Sequence, residues 1–201
     1  VEHIYQQYGI YTILNHSFGS YGLTIDGEWM PHTDYADSRT RKLLISEVES
    51  MVEEYRDTEG LLIYLIGNEN NYGLFWDNES LDMASMDMYK LFLMNQGKKK
   101  EQSESSELAQ DTKSILRAKA MYSLMNEAAE LIKSQDENHP VAISNGALMF
   151  LDIIKDECQA IDIFGTNIYR GISFGDSFQR VKSTLKKPIL FTEFGADAYN
   201  D

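Results

Sequence analysis

Two hydrophobic periods alternate along the chain. Residues 10–14, 61–66, 141–144, 161–166 and 188–192 are apolar at most positions and rich in β-branched and aromatic side chains, which predicts five strands buried on both faces. Between them lie longer segments with a one-sided apolar stripe. Over 38–56, Leu44, Val48, Met51, Val52 and Tyr55 fall at helical spacing, and over 112–135 so do Ala118, Met121, Tyr122, Met125, Ala128, Ala129 and Ile132. Asp37-Ser38 and Asp111-Thr112 supply N-caps for the two long helices, and 148–156 and 176–186 predict shorter ones. The chain opens at Val1 inside a segment that itself reads as helix.

Fully apolar strands separated by helices predict α/β architecture, with a parallel sheet covered on both faces or closed into a barrel. The connections leading into strands are short, at 57–60, 138–140 and 186–187. Those leaving strands are long, at 15–37 and 72–111. That asymmetry places the functional face at the carboxyl ends of the strands, as in a (β/α)8 TIM barrel. Such a barrel has eight strands and about 250 residues, so five strands predict a partial barrel occupying residues 1–201. The 15–37 connection holds Tyr21, Trp29 and His32, suited to stacking on a sugar. The 72–111 connection reads as helical over 82–92 and then as a Lys/Glu/Ser-rich loop.

Composition adds exclusions. The chain has 201 residues, 43% hydrophobic and 25% charged, the balance of an ordinary globular protein, and its formal net charge of −14 argues against a nucleic-acid partner. The basic run Lys98 to Lys100 is followed at once by acidic and serine residues and reads as a solvated loop. One cysteine, Cys158, cannot form an intrachain disulfide, so the fold does not depend on an oxidising compartment. No apolar run approaches membrane-spanning length and no signal peptide is present in these residues, so no membrane partner is expected. Cytoplasmic and extracytoplasmic locations both stay open. The four histidines lie far apart with no H-E-x-x-H, and no P-loop or G-x-G-x-x-G occurs, so neither a metal nor a cofactor is implied. Gly171 to Gly175 matches the G-x-S-x-G nucleophile elbow, but no histidine follows His139 to complete a triad.

The candidate chemistry rests on two carboxylates, Glu69 and Glu193, each just past an apolar strand. Such a pair can split a glycosidic bond, one group protonating the leaving oxygen and the other attacking the anomeric carbon. Asn68 is placed to bond a sugar hydroxyl. Tyr169, two residues beyond Asn167 at another strand end, is placed to bond Glu193 and keep it ionised. For Tyr72, Phe75 and Trp76, sugar stacking and packing at a loop base both fit, with stacking favoured for Trp76. His16 reads equally as a hydrogen-bonded structural histidine or as a ligand for substrate.

Gly67-Asn68-Glu69 after one strand, Asn167-Ile168-Tyr169 after another and Thr192-Glu193-Phe194-Gly195-Ala196-Asp197 after a third closely resemble the catalytic barrel of glycoside hydrolase family 2. That family comprises the β-galactosidases and β-glucuronidases, within the clan of retaining (β/α)8 glycosidases. The resemblance covers nearly the whole chain, from about the helix before strand three to just beyond strand seven. It implies a retaining β-glycosidase acting on a β-linked carbohydrate, with Glu69 as acid/base, Glu193 as nucleophile, Asn68 as a 2-hydroxyl ligand and Tyr169 orienting the nucleophile. It also places Asn15 and His16 along the pocket.

The family's arginine near strand two, its aromatic residue after strand eight and its flanking β-sandwich domains are not among these residues. This part alone is therefore expected to be weak or inactive, and its open barrel edges are expected to promote self-association. A β-1,3-glucanosyltransferase-like transglycosylase and a carbohydrate-binding remnant without turnover are the alternative readings.

Overall fold

In a computed structural model, residues 1–75, 106–170 and 173–195 are described. In chain order the elements are α1 (Glu2–Tyr8), β1 (Thr12–His16), β2 (Leu23–Ile25), β3 (Glu28–Met30), α2 (Ser38–Tyr55), β4 (Leu61–Ile66), a 3-10 turn (Asn70–Phe75), α3 (Ser106–Gln135), β5 (Val141–Gly146), α4 (Leu151–Glu157), β6 (Ile163–Tyr169), α5 (Ser177–Thr184) and β7 (Ile189–Gly195). Five strands form one curled parallel sheet, half of a barrel, in the order β1-β4-β5-β6-β7. Every strand pairing in it is parallel.

Alternation along each strand divides the core in two. Toward the helices point Tyr64, Ile66, Val141, Ile143, Phe164 and Ile168, in one cluster with Leu44 and Val48 of α2 and Met121, Tyr122 and Met125 of α3. On the opposite, inner face Ile63, Leu65 and Ala142 pack with Ile163 and Leu190. The helices thus cover one side of the sheet, and the inner face is apolar at its lower end.

Three expectations are revised. The strands run past their apolar stretches at the carboxyl ends, β1 to His16, β5 to Gly146, β6 to Tyr169 and β7 to Gly195. Polar residues stay in the ladder there because neighbouring strand ends supply their hydrogen-bond partners. The 15–37 connection contains the β2–β3 hairpin, closed by Asp26 at φ 53° and Gly27 at φ 86°. Two successive left-handed residues are what a two-residue hairpin turn demands. Asp37 does cap α2, accepting from the Arg39 amide at 2.8 Å, but α3 begins at Ser106, so Asp111-Thr112 lies within the helix rather than at its start. The Glu107-Leu108-Ala109-Gln110 run favours helix by propensity and carries it through. The helix expected over 82–92 and the Lys/Glu/Ser-rich loop lie outside the described residues.

At the amino ends of the strands, buried Asp136 holds the α3–β5 connection. It accepts from Tyr64 Oη at 3.0 Å, from the Asn138 amide at 2.9 Å and from the His139 amide at 3.2 Å, with His139 Nδ1 at 2.8 Å. Burial pushes its carboxyl up, but the His139, Asn138 and Tyr64 hydrogen bonds outweigh that and hold it below the usual carboxylate range. A carboxylate with a depressed folded pKa contributes stability above its unfolded value and loses it as pH falls through the folded one. Asp136→Ala should therefore cost about 2–3 kcal/mol at pH 7 by urea denaturation, since it strands the Tyr64 hydroxyl and two amides. The gap from the unaltered chain should narrow as pH drops below the ordinary value of 3.8.

Candidate active site

The turn after β4 carries Glu69 in a conformation that costs energy. Gly67 has φ 79° and Glu69 φ 57°, and a left-handed non-glycine residue costs about 1–2 kcal/mol. Buried Asn70 holds the turn. Its Oδ1 accepts from the Asn68 amide at 2.7 Å, and its Nδ2 lies 2.8 Å from the Phe18 carbonyl and 2.7 Å from Tyr35 Oη. Tyr35 Oη donates onward to the same Phe18 carbonyl at 3.0 Å. A Cβ on residue 67 would sit 2.4 Å from Asn70 Oδ1, so the approach requires glycine. The Glu69 amide donates to the Ser144 carbonyl at 3.0 Å, tying the turn to β5.

Asn15 closes the other side of this turn. Its Nδ2 lies 2.8 Å from the Gly67 carbonyl and 3.2 Å from that of Leu65. By register Asn15 pairs with Leu65 and shares the inner face with it. His16 points elsewhere. Its Nδ1 accepts from the Phe18 amide at 3.1 Å and its Nε2 lies 3.4 Å from Glu47 of α2, so both ring nitrogens are engaged within the protein. Burial lowers its pKa, partly countered by Glu47, and an Nδ1 that accepts assigns the remaining proton to Nε2.

Counting by twos from the inner apolar cluster leads to a polar floor. Ser144 follows Ala142, Asn167 follows Ile163 and Gly165, and Thr192 follows Leu190. Thr192 Oγ1 donates to Asn167 Oδ1 at 2.5 Å and lies 3.0 Å from Ser144 Oγ. Asn167 Nδ2 donates to Asn68 Oδ1 at 3.2 Å. The floor thus joins Asn68, beside Glu69, to Thr192, beside Glu193, across four strand ends. Gly165 permits this closeness, because a Cβ there would meet the Ile143 carbonyl at 2.2 Å and Thr192 Cγ2 at 3.2 Å.

Strict alternation from Leu190 and Thr192 would turn Glu193 toward the helices. A register shift prevents it: Thr166 pairs with Phe191, but the next residue, Asn167, pairs with Glu193. Thr192 is the extra residue of a bulge, and such a bulge re-aims the side chain that follows it. Glu193 therefore joins Asn167 and Tyr169 on the inner face. Tyr169 Oη donates to Glu193 Oε2 at 2.6 Å, a short charge-assisted bond.

Asn68, Asn167, Tyr169 and Glu193 are thus joined through the floor and the Tyr169 bond, with Glu69 next to Asn68 at the same end of the sheet. Tyr72 lies at the rim, where its ring occupies the space a Cβ on Gly146 would take, at 2.3 Å. Trp76 lies outside the described residues. Asn70, Ser144 and Thr192 were not anticipated. Their signal was polar side chains at the ends of apolar strands, with Asn70 and Thr192 directly beside Glu69 and Glu193. Among the described residues no group of three or more His, Cys, Asp or Glu could hold a metal ion, and no helix is long and apolar enough to cross a membrane.

A curled parallel half-barrel with polar groups gathered at its strand carboxyl ends is compatible with part of a (β/α) barrel. Solved structures agree in fold. An agarase, AgWH50C, superposes with a TM-score of 0.64 at 14% identity, over 96% of this chain and 33% of that one. The β-galactosidase of the psychrophilic Marinomonas ef1 gives 0.60 at 11% identity over 83% and 32%, and the β-D-glucuronidase of Dictyoglomus thermophilum 0.52 at 14% over 98% and 28%. The chain spans about a third of the length of each. No protein-family model and no curated protein sequence matches it.

Removing the clamp tests this construction. Asn70→Ala should cost about 2–3 kcal/mol by urea denaturation, through the unpaired Asn68 amide and the lost bonds to the Phe18 carbonyl and the Tyr35 hydroxyl. It should also speed hydrogen exchange at the Asn68 amide, whereas an unchanged exchange rate would show that the turn is held by other contacts.

Proposed function

We propose that this chain is the catalytic part of a retaining β-glycosidase, with Glu193 as nucleophile and Glu69 as general acid/base. The observation that carries the reading is the bulge at Thr192. It turns Glu193 to the inner face, where Tyr169 donates to it at 2.6 Å, at the same sheet end as Glu69. The shared fold with an agarase and a β-galactosidase supports the same reading.

In this mechanism a β-linked saccharide lies over the polar floor, with Asn68 bonding a hydroxyl of the sugar that is transferred. Glu193 attacks the anomeric carbon as Glu69 protonates the departing oxygen, giving a covalent glycosyl-enzyme. Glu69, now ionised, takes a proton from water, whose oxygen displaces Glu193 and restores the original configuration. The Tyr169 hydroxyl, bonded to Glu193 Oε2, orients the nucleophile. No cofactor enters the reaction.

Glu193→Gln should lower kcat for an aryl β-glycoside by about 10³-fold or more, as loss of a nucleophile does elsewhere. Glu69→Ala should retain turnover of substrates with good leaving groups and, with added azide, yield a β-glycosyl azide. Full activity in Glu193→Gln would remove that residue from the mechanism.

A further inference from the structure

We infer that Tyr21 forms the binding site for the leaving-group sugar, making the enzyme selective for saccharide over simple aglycones; this rests on the glycosidase reading above. Tyr21 lies in the loop after β1, and its Oη accepts a hydrogen bond from Asn68 Nδ2 at 3.0 Å. An acceptor phenol keeps its own proton, so the Tyr21 hydroxyl remains a donor for a ligand. The residue is 69% exposed, unusual for a large aromatic side chain held at a specified place.

The loop around Tyr21 is firmly held. Thr33 Oγ1 donates to the Gly19 carbonyl at 2.6 Å. On the other side, Gly22 at φ 92° lies so close to the Trp29 ring that a Cβ there would sit 2.8 Å from it. Trp29 belongs to β3, so the β2–β3 hairpin braces the turn. An exposed aromatic ring on a braced turn binds without a large ordering cost.

Its position in the sheet order specifies which sugar it meets. Glu193 is on β7 at one edge, Glu69 follows β4, and β1 lies beyond β4 at the other edge. The transferred sugar must contact Glu193, and the leaving oxygen must face Glu69. What departs therefore lies on the β1 side of Glu69, where Tyr21 reaches Asn68. Ring stacking with a hydroxyl donor suits a pyranose, whose C–H face and hydroxyl rim match the two.

The test compares saccharides of two lengths bound to the full chain carrying Glu193→Gln, which prevents turnover. NMR titrations with lactose and galactose, and with cellobiose and glucose, would be run with Tyr21 present, with Tyr21→Phe and with Tyr21→Ala. Tyr21→Ala should weaken the bound disaccharide about fivefold or more while leaving its monosaccharide within about twofold, with Tyr21→Phe between the two. Equal weakening of both would mean that Tyr21 acts only by positioning Asn68, and no weakening of either would mean no contact; each overturns the subsite alone. No saccharide binding by the Tyr21-bearing chain would overturn the subsite together with the glycosidase reading.

Discussion

Asn167 is the point on which the strand ends converge. Its carboxamide accepts the Thr192 hydroxyl proton at 2.5 Å and donates to Asn68 at 3.2 Å, so one side chain couples the β4 turn to the β7 bulge. An amide that donates and accepts at once can do this, whereas a carboxylate or a hydrocarbon of the same size cannot. The group is buried at 2% exposure, where an unmade hydrogen bond is costly. The arrangement therefore rewards the register in which Glu193, not Thr192, stands opposite Asn167. Glu69 depends on it from the other direction, because Asn68 must present Oδ1 to the floor while its amide is held by Asn70.

Much of this was legible in the chain. Apolar strand cores, helix stripes and the short-in, long-out asymmetry of the connections follow from periods of 2 and 3.6, which local sequence encodes directly. The candidate carboxylates were legible because Gly67-Asn68-Glu69 and Thr192-Glu193 break apolar runs abruptly. What could not be read was the bulge. Alternation from Leu190 places Glu193 on the helix side, and the shift that corrects it comes from pairing with β6, a contact between segments distant in sequence. The left-handed Glu69 was hidden for a similar reason, since Asn70 and the Phe18 and Tyr35 partners that hold it come from separate loops. His16 shows the converse. Its place at a strand end suited substrate and a structural role equally, and Glu47 on α2 and the Phe18 amide engage its ring. The Asp26-Gly27 hairpin went unread within the 15–37 connection, although Asp-Gly is a residue pair that two-residue hairpin turns favour.

The site is built in two tiers, and this relates stability to chemistry. Below, Asp136 and the inner apolar cluster fix the strands at and beneath mid-sheet. Above, the polar floor fixes rotamers rather than adding much stability, since each neutral hydrogen bond contributes only about 1 kcal/mol net. The proposed glycosidase reading would use this pre-organisation, because its nucleophile must hold its position while charge develops at the anomeric carbon. The loops supply the remainder, with the β1 connection reaching over the β4 turn through Tyr21.

The central claim is that Glu193, re-aimed by the bulge, is the group that bonds the sugar. The most direct measurement is peptide mass spectrometry after incubation with 2-deoxy-2-fluoro glycosides bearing activated leaving groups, on this chain and on any longer protein that contains it. A single glycosyl adduct on Glu193 is the expected result. An adduct on another residue, or turnover of the parent glycosides without any trapped intermediate, would contradict it.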